Sequence, residues 1–488
     1  MHAHHNTDAL AAALAPVAQA GANPRVLATA LINHARTQRR LGALWDYYRN
    51  PLTPAAPTRS TRSYALAQQQ GLPLRLRNPS AVGINLDDRN SAREIVIEND
   101  IAWRIGAMID FLAGKPIRLV SAAADDRTAK LIERTLEAIF ERSGGLAMLQ
   151  EAALLGHVYG AVDLHVQVNG EEGELDLLSD PLDAADLIRV TPVDPRRAIP
   201  LVGDDWRELT GFVIVAERET LDDQPQQRIV ELLTPTHRQT LLLTGADDAP
   251  TVRVLSLAPN RVSPGVVPVA HIQNVAQPFT LDGLGEVEPL IPLQDELNTR
   301  LSDRANRVTM QSFKMYLAKG IDGFERTPVG PGVLLSTDNP DAAITSFGGD
   351  AASPSEDRHV DEIREALDKL SGVPPLATGV VRAKIGNLSS ENATAPHAAG
   401  PHRTHRAKRI TYGRGVTRAC EMILTALHHA GVLRTAQRDR QIRIEWLDPL
   451  SEDQQALLQA AKQKHDLGVP TPRVLNELGY ATQDAGVE

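Results

Sequence analysis

The sequence predicts an α+β chain of several domains, and three observations carry that. Residues 161–243 hold short apolar runs separated by turn residues at intervals of about ten, the pattern of an antiparallel sheet. Residues 285–392 hold two amphipathic helical segments around a Gly/Pro-rich excursion, followed by a loop with apolar residues. The last forty or so positions carry the cap and stop residues of two short helices. With 488 residues, 42% of them hydrophobic, the chain can fill roughly two to four domain cores.

The opening MHAHHNTDALAAALAPVAQAGA has an alanine-rich patch, but it lacks a Lys/Arg leader and carries Asp8, so it reads as a short surface helix and not as a signal peptide. Residues 24–50 form a helix that Pro51 and Pro54 end. To about Leu86 the chain is Pro/Ser/Arg-rich, an extended arm whose Arg59, Arg62, Arg75 and Arg77 face solvent or a partner. A helix is expected from Ser91, with Ile95, Ile101, Ile105, Met108, Ile109 and Leu112 on its apolar side. Gly114 and Pro116 close it ahead of the strand IRLV. Lys115 lies in a turn, because the glycine spacing of a phosphate loop is absent.

A second helix spans Asp125 to Arg142 and leads through Gly144 and Gly145 into a third. GAVDLHVQV and GELDLLS then alternate as strands. LIRVTPVDPRRAIPLV, LTGFVIVAER, RIVELLTP and RQTLLLTG continue the same sheet. Asp180, Asp183, Asp186 and Asp194 are of the type that binds hard cations, but their spacing matches neither an EF-hand nor a two-metal motif.

In EVEPLIPLQDELNTRLSDRANRVTM, Leu290, Leu293, Leu297, Leu301, Ala305 and Val308 make one helical stripe. Arg300, Arg304 and Arg307 share another face. Glu296 with Arg300, and Asp303 with Arg307, are expected as i,i+4 pairs; a face turned toward DNA is the alternative. The second helix has Ser353 to cap it, Pro354 at its first position, Glu356 to complete a capping box, and Gly372 with Pro374 to end it. Its stripe is Val360, Ile363, Leu367 and Leu370, so the two helices form an antiparallel pair. Between them a strand-and-turn lobe is expected, with strands at Val333 to Ser336 and Ala343 to Phe347. In VPPLATGVVRAKIGNLSSEN, Gly379 and Gly386 bracket Val380, Val381 and Ile385, giving a mobile loop with an apolar tip.

Further on, His397, His402 and His405 with Arg403, Arg406, Lys408 and Arg409 form a dense cationic cluster. A zinc site there lacks a fourth ligand and a recognised spacing, so phosphate contact or a subunit salt bridge is the expectation. Cys420, the one cysteine, lies near Met422, Ile423 and Leu427 as a small buried apolar residue, and it excludes an intrachain disulfide framework. QIRIEWLDP is a strand returning toward the earlier sheet. Ser451 and Gln454 cap a helix to about Leu467, and Thr471 with Pro472 starts another that ends at Gly479.

The formal charge of -10 argues against gripping nucleic acid over the whole surface. No apolar run approaches the roughly eighteen residues of a membrane span. No nucleotide loop, nucleophile elbow, metal constellation or paired carboxylates emerge, so no enzyme activity, metal or cofactor is expected. Chemistry alone leads to a soluble oligomerising protein.

Four stretches in order carry a resemblance: IVIENDIAWRIGAMIDFLAGKPIRL, VPVAHIQNVAQPFTLDGLGEVEPLIPLQDELNTRLSDRAN, LSGVPPLATG with GNLSSENAT, and DLGVPTPRVLNELG. The chain resembles the portal proteins of tailed bacteriophages, the family with long wing, stem, clip and crown regions. That implies a multidomain α+β fold: an α/β wing over 1–285, stem helix 1 over 286–310, a small strand-containing clip over 311–353 and stem helix 2 over 354–371. A tunnel loop at 372–392, the wing's continuation at 393–447 and a helical crown at 448–488 complete it. The family's helix after the tunnel loop runs without interruption, whereas Pro396, Gly400, Pro401, Gly413 and Gly415 argue against that continuity here.

The resemblance further implies a homo-oligomeric ring, usually a dodecamer, at one capsid vertex of the virion, assembled in the host cytoplasm. Double-stranded DNA would pass through it without sequence specificity. Its implied partners are the large terminase, a head-tail adaptor, and capsid and scaffolding proteins, with no membrane. Val380, Val381, Arg382, Lys384 and Ile385 would face DNA in the tunnel loop. Arg300, Arg304 and Arg307 would form the stem's basic face, and Lys314, Tyr316, Lys319, Phe324 and Arg326 would dock terminase on the clip. The competing reading is a metal-dependent morphogenesis enzyme or nuclease using His397, His402 and the turn at Asp180; a domesticated prophage scaffold is a third.

Overall fold

The structure, a computed structural model, describes residues 2–54, 64–77, 94–312 apart from 172, 204–207, 219–225 and 246–249, then 315–319, 340–347, 354–373, 391–447, 462–464 and 466. Helices and antiparallel strands are mixed throughout, as the sequence predicts.

Helix α1 (His2–Ala13) and a 3-10 turn at Ala15–Ala20 lead to α2 (Pro24–Arg49). The Asn23 side chain caps α2 by accepting from Arg25 N, and Asn50 ends it in the left-handed region at φ 46° ahead of Pro51. The expected surface helix is a packing element: Leu10, Leu14 and Val17, at helical spacing, are buried against a β-sheet. Strands β1 (Leu52–Pro54) and β2 (Tyr64–Leu66) form a small antiparallel pair, followed by the single turn α3 (Leu74–Arg77).

The helix expected from Ser91 begins later. Residues 94–99 are extended, and α4 (Asp100–Ala113) starts where the Asn99 side chain accepts from Ala102 N. Strand β3 (Ile117–Ser121) leads to α5 (Asp126–Arg142), capped by Asp125 as its position predicts, and then to α6 (Gly145–Tyr159) and β4 (Ala161–Val168). GELDLLS is not a strand: Leu175–Leu177 form a 3-10 turn, because Gly170 and Gly173 at φ 87° and 86° bend the chain. Helix α7 (Ala184–Leu187) and β5 (Ile188–Val193) follow.

The expected single sheet is two sheets. The turn after β5, closed by Arg197 N donating to Asp194 O, starts a separate five-stranded antiparallel sheet. It comprises β6 (Ala198–Val202), β7 (Leu209–Arg218), β8 (Gln227–Leu233), β9 (His237–Thr244) and β10 (Thr251–Pro259), each beside its sequence neighbour. Strand β11 (Val269–Gln273) returns to β4, giving a three-stranded sheet in the order β11-β4-β5.

Next come α8 (Val287–Ser312), the antiparallel pair β12 (Met315–Lys319) and β13 (Ala343–Phe347), α9 (Pro354–Ser371), α10 (Glu391–His429) and β14 (Ile442–Trp446). The lobe's second strand is as expected, but its partner is β12, and Val333 to Ser336 lie outside the described residues. Helix α10 runs unbroken, against the expectation. Gly415 serves packing: a Cβ there would sit 2.2 Å from the Ile272 side chain of β11. Strand β14 pairs with β3 in a two-stranded sheet of its own, not with the larger ones. The expected crown helices at 448–488 fall almost wholly outside the described residues.

Two main cores result. One lies among α4, α5, α6, α10 and the three-stranded sheet, with Ile105, Ile139, Val158, Leu164, Cys420 and Leu424 buried in it. The other lies between the α1–α2 pair and the five-stranded sheet, around Leu14, Leu27, Val213 and Leu241. Each fully buried side chain of this size contributes about 1.5–3 kcal/mol.

Candidate functional site

Helices α8 and α9 run antiparallel, and charged pairs mark their register: Arg307 with Glu356, Arg304 with Asp357 at 3.0 Å, and His359 with Glu296 at 3.5 Å. Arg300 donates to Glu296 at 2.7 Å, as expected for an i,i+4 pair. The expected Asp303–Arg307 pair does not form. Asp303 instead takes two bonds from Arg75 of α3, the second at 2.8 Å, so an arginine expected in a free arm is tied to the helix. That bond holds the Arg75 guanidinium above its usual range. At Glu296 burial opposes ionisation, but Arg300 and His359 outweigh it and hold the carboxyl below the usual glutamate range. All three arginines of the predicted basic face therefore meet carboxylates within the chain.

The apolar stripe of α8 is true for its first half only. Leu290 and Leu297 are buried, whereas Val308 is 43% exposed. The face that packs inward beside them is polar: Gln294, Asn298 and Ser302 are fully buried, and Asn306 continues the same row. These residues, four apart, hold the extended segment 94–98. Asn306 accepts from Glu94 N at 3.0 Å and donates to Glu94 O at 2.9 Å. Ser302 accepts from Val96 N at 3.0 Å and Asn298 from Glu98 N at 3.0 Å, while Gln294 accepts from Ile101 N at 3.2 Å. Four helical residues rise about 6.0 Å, and two extended residues about 6.6 Å, so Asn306, Ser302 and Asn298 meet every second backbone N–H, while Gln294 reaches three residues on, to Ile101 at the start of α4. This ladder is why residues 94–99 are not helical: their main-chain groups are already bonded to α8. Polar residues at 294, 298, 302 and 306 were the signal for it in the sequence.

Arg104 of α4, fully buried, joins the assembly. It donates to Asp100 at 2.9 Å, to Asp368 of α9 at 2.7 Å and to Ser371 Oγ at 3.0 Å. Arg364 of α9 reaches Glu98 at 2.7 Å. On the other side Tyr47 of α2 donates to Asp295, and burial, then the Asp295 charge, pushes its hydroxyl up to about 12.

Of the cationic cluster expected at the start of α10, Lys408 and Arg409 have partners within the chain. Lys408 is buried, 1% exposed, and paired with Glu286 at 2.5 Å; burial lowers its pKa against the pull of that carboxylate. Arg409 lies over the Trp446 ring at 5.8 Å. The side chains of His397, His402, Arg403 and His405 lie outside the described residues. The aspartates also have separate tasks: Asp180 caps a 3-10 turn, Asp186 pairs with Arg142, and Asp194 with Arg196. Among the described residues no three His, Cys, Asp or Glu are placed to hold a metal ion, and no helix is long and apolar enough to cross a membrane.

Of the clip candidates, Tyr316 and Lys319 lie on β12 with Lys319 exposed, while Lys314, Phe324 and Arg326 lie outside the described residues. Val380, Val381, Arg382, Lys384 and Ile385 do as well.

A long helix pair clamped to a mixed helix-and-sheet body by buried polar bonds defines an α+β protein organised around that pair. Residues 111–477 match the family model described as phage portal protein, SPP1 Gp6-like, and the chain belongs to that family. No curated protein matches. Two similar solved structures come from gene transfer agent particles. One, from the virion of a native particle, is 14% identical with a TM-score of 0.42, covering 78% of this chain and 89% of its own. The other, from the neck of an empty particle computed with C6 symmetry, is 14% identical with a TM-score of 0.44, covering 78% and 90%.

Proposed function

We propose that copies of this chain close into a ring, twelve at a capsid vertex, forming the passage through which DNA is packaged and later ejected. The family match over residues 111–477 carries this reading. The lobe over 311–353 docks the large terminase during packaging and a head-tail adaptor afterwards, and the outer domain meets capsid and scaffolding proteins. The paired state of Arg300, Arg304 and Arg307 supports the transit role. Every free cation in a channel adds salt-sensitive phosphate affinity that slows a moving duplex, and these three are matched by Glu296, Asp357 and Glu356. In this reading they close the stem, while Val380, Val381, Arg382, Lys384 and Ile385 touch the duplex by shape and backbone, not by base edges.

Negative-stain images of the purified protein test the ring: annular particles with a central opening are expected, and a solitary particle without one at every concentration and salt overturns it. Deleting residues 376–388 tests the loop. Rings should still form while DNA packaging falls; an unchanged packaging yield removes the loop from the mechanism.

A further inference from the structure

Helix α8 is flanked unequally. On one side α2 is held by Arg40 with Glu288 at 3.6 Å and by Tyr47 with Asp295 at 3.1 Å. Glu288 and Asp295 are two turns apart and share that side. Glu296, Arg304 and Arg307, which meet α9, project roughly 100–180° further round at 100° per residue. A ring built by one repeated rotation brings one flank of each copy against the opposite flank of the next.

The exposed surfaces of the two flanks carry opposite charge. On α2, Arg36, Arg39 and Arg40 are exposed beside Ile32, itself 41% exposed. Arg40 has Glu288, but no carboxylate among the described residues lies within ion-pair distance of Arg36 or Arg39. On α9, Asp361, Glu362 and Glu365 are exposed, with Arg358 and Lys369 beside them; Glu362 meets His359 at 3.7 Å. Both surfaces lie alongside α8, and among the described residues Arg36, Arg39, Asp361 and Glu365 form no ion pair within the chain. We infer that the arginine face of α2 docks on the acidic face of α9 in the next copy, a head-to-tail contact between neighbouring subunits. This rests on the ring reading above. Opposed charges at such a contact fix which face meets which, and like charges placed there repel.

Two reversals test it. One chain carries Arg36→Glu and Arg39→Glu, the other Asp361→Arg and Glu365→Arg; all four positions are exposed. Thermal unfolding of each checks that the fold is kept. Measured by sedimentation velocity, each chain alone should need about tenfold or more protein to assemble than the unaltered chain. An equimolar mixture should assemble again, since each reversed face then meets its opposite on the other chain in an alternating ring. Assembly of either chain alone at the unaltered concentration overturns the contact, as does a mixture that stays apart. If the unaltered protein forms no ring, the ring reading itself fails, an outcome distinct from rings that ignore the reversals.

Discussion

Arg307 of α8 reaches across to Glu356 of α9 and not to Asp303 one turn before it on its own helix. Both partners are about a quarter exposed, so the pair is partly shielded. A double-mutant cycle on Arg307→Ala and Glu356→Ala should give a coupling of about 0.5–1 kcal/mol, and the same cycle on Arg307 and Asp303 almost none. Equal couplings would place the arginine on its own helix.

Arg104 is buried between two carboxylates. Arg104→Ala takes from Asp100 and Asp368 the buried guanidinium they share, so unfolding free energy should drop by about 3–5 kcal/mol. Urea denaturation measures it, and a loss below about 1 kcal/mol would show that water serves these acids well enough.

The ladder on α8 predicts a local effect. Asn298→Leu leaves Glu98 N and Gln68 Oε1 without their partner, at a cost of about 1–3 kcal/mol. Amide hydrogen exchange of Val96 and Glu98 should quicken well before that of α5. Unchanged protection at these amides would mean the segment is held by something else.

Two histidines, His165 buried and His271 half-buried, set a pH window. At His271 burial disfavours the charge, but Asp163 at 2.8 Å overrides it and lifts the pKa to about 9. Its stabilisation is full below pH 6.5 and lost as pH rises through about 9. At His165 burial lowers the pKa to about 3, so its contribution is full above pH 6.5 and lost as pH falls toward 3. Replacing His271 with Gln should therefore cost on the order of 3 kcal/mol at pH 6 and little above pH 9. Chemical denaturation at the two pH values reads this, and a loss that is the same at both removes the charge from the account.

Local signals were legible and distant ones were not. Asp125, Pro51 and Pro354 act over one turn, so α5, the end of α2 and the start of α9 could be read from the chain. Ile95 and Ile101 imitate a helical stripe, and only Asn298, Ser302 and Asn306, some two hundred positions away, decide that 94–99 stays extended. Lys408, which is buried, looked like part of a surface cluster because its partner Glu286 lies far back in the chain. Arg300 with Glu296 was readable; Arg75 with Asp303 was not, for the same reason of separation.

The meeting of segment 94–98 with α8 is a vernier of two unequal rulers. With increments near 6.0 and 6.6 Å, the offset grows by about 0.6 Å at each graduation. After three graduations it is near 2 Å, more than a hydrogen bond of about 2.7–3.2 Å tolerates. The fastening is thus limited by arithmetic to about the length seen, from Asn298 to Asn306, and Gln294, one graduation further, has already slipped to Ile101. Lengthening it with a further Asn beyond Asn306 would add no grip.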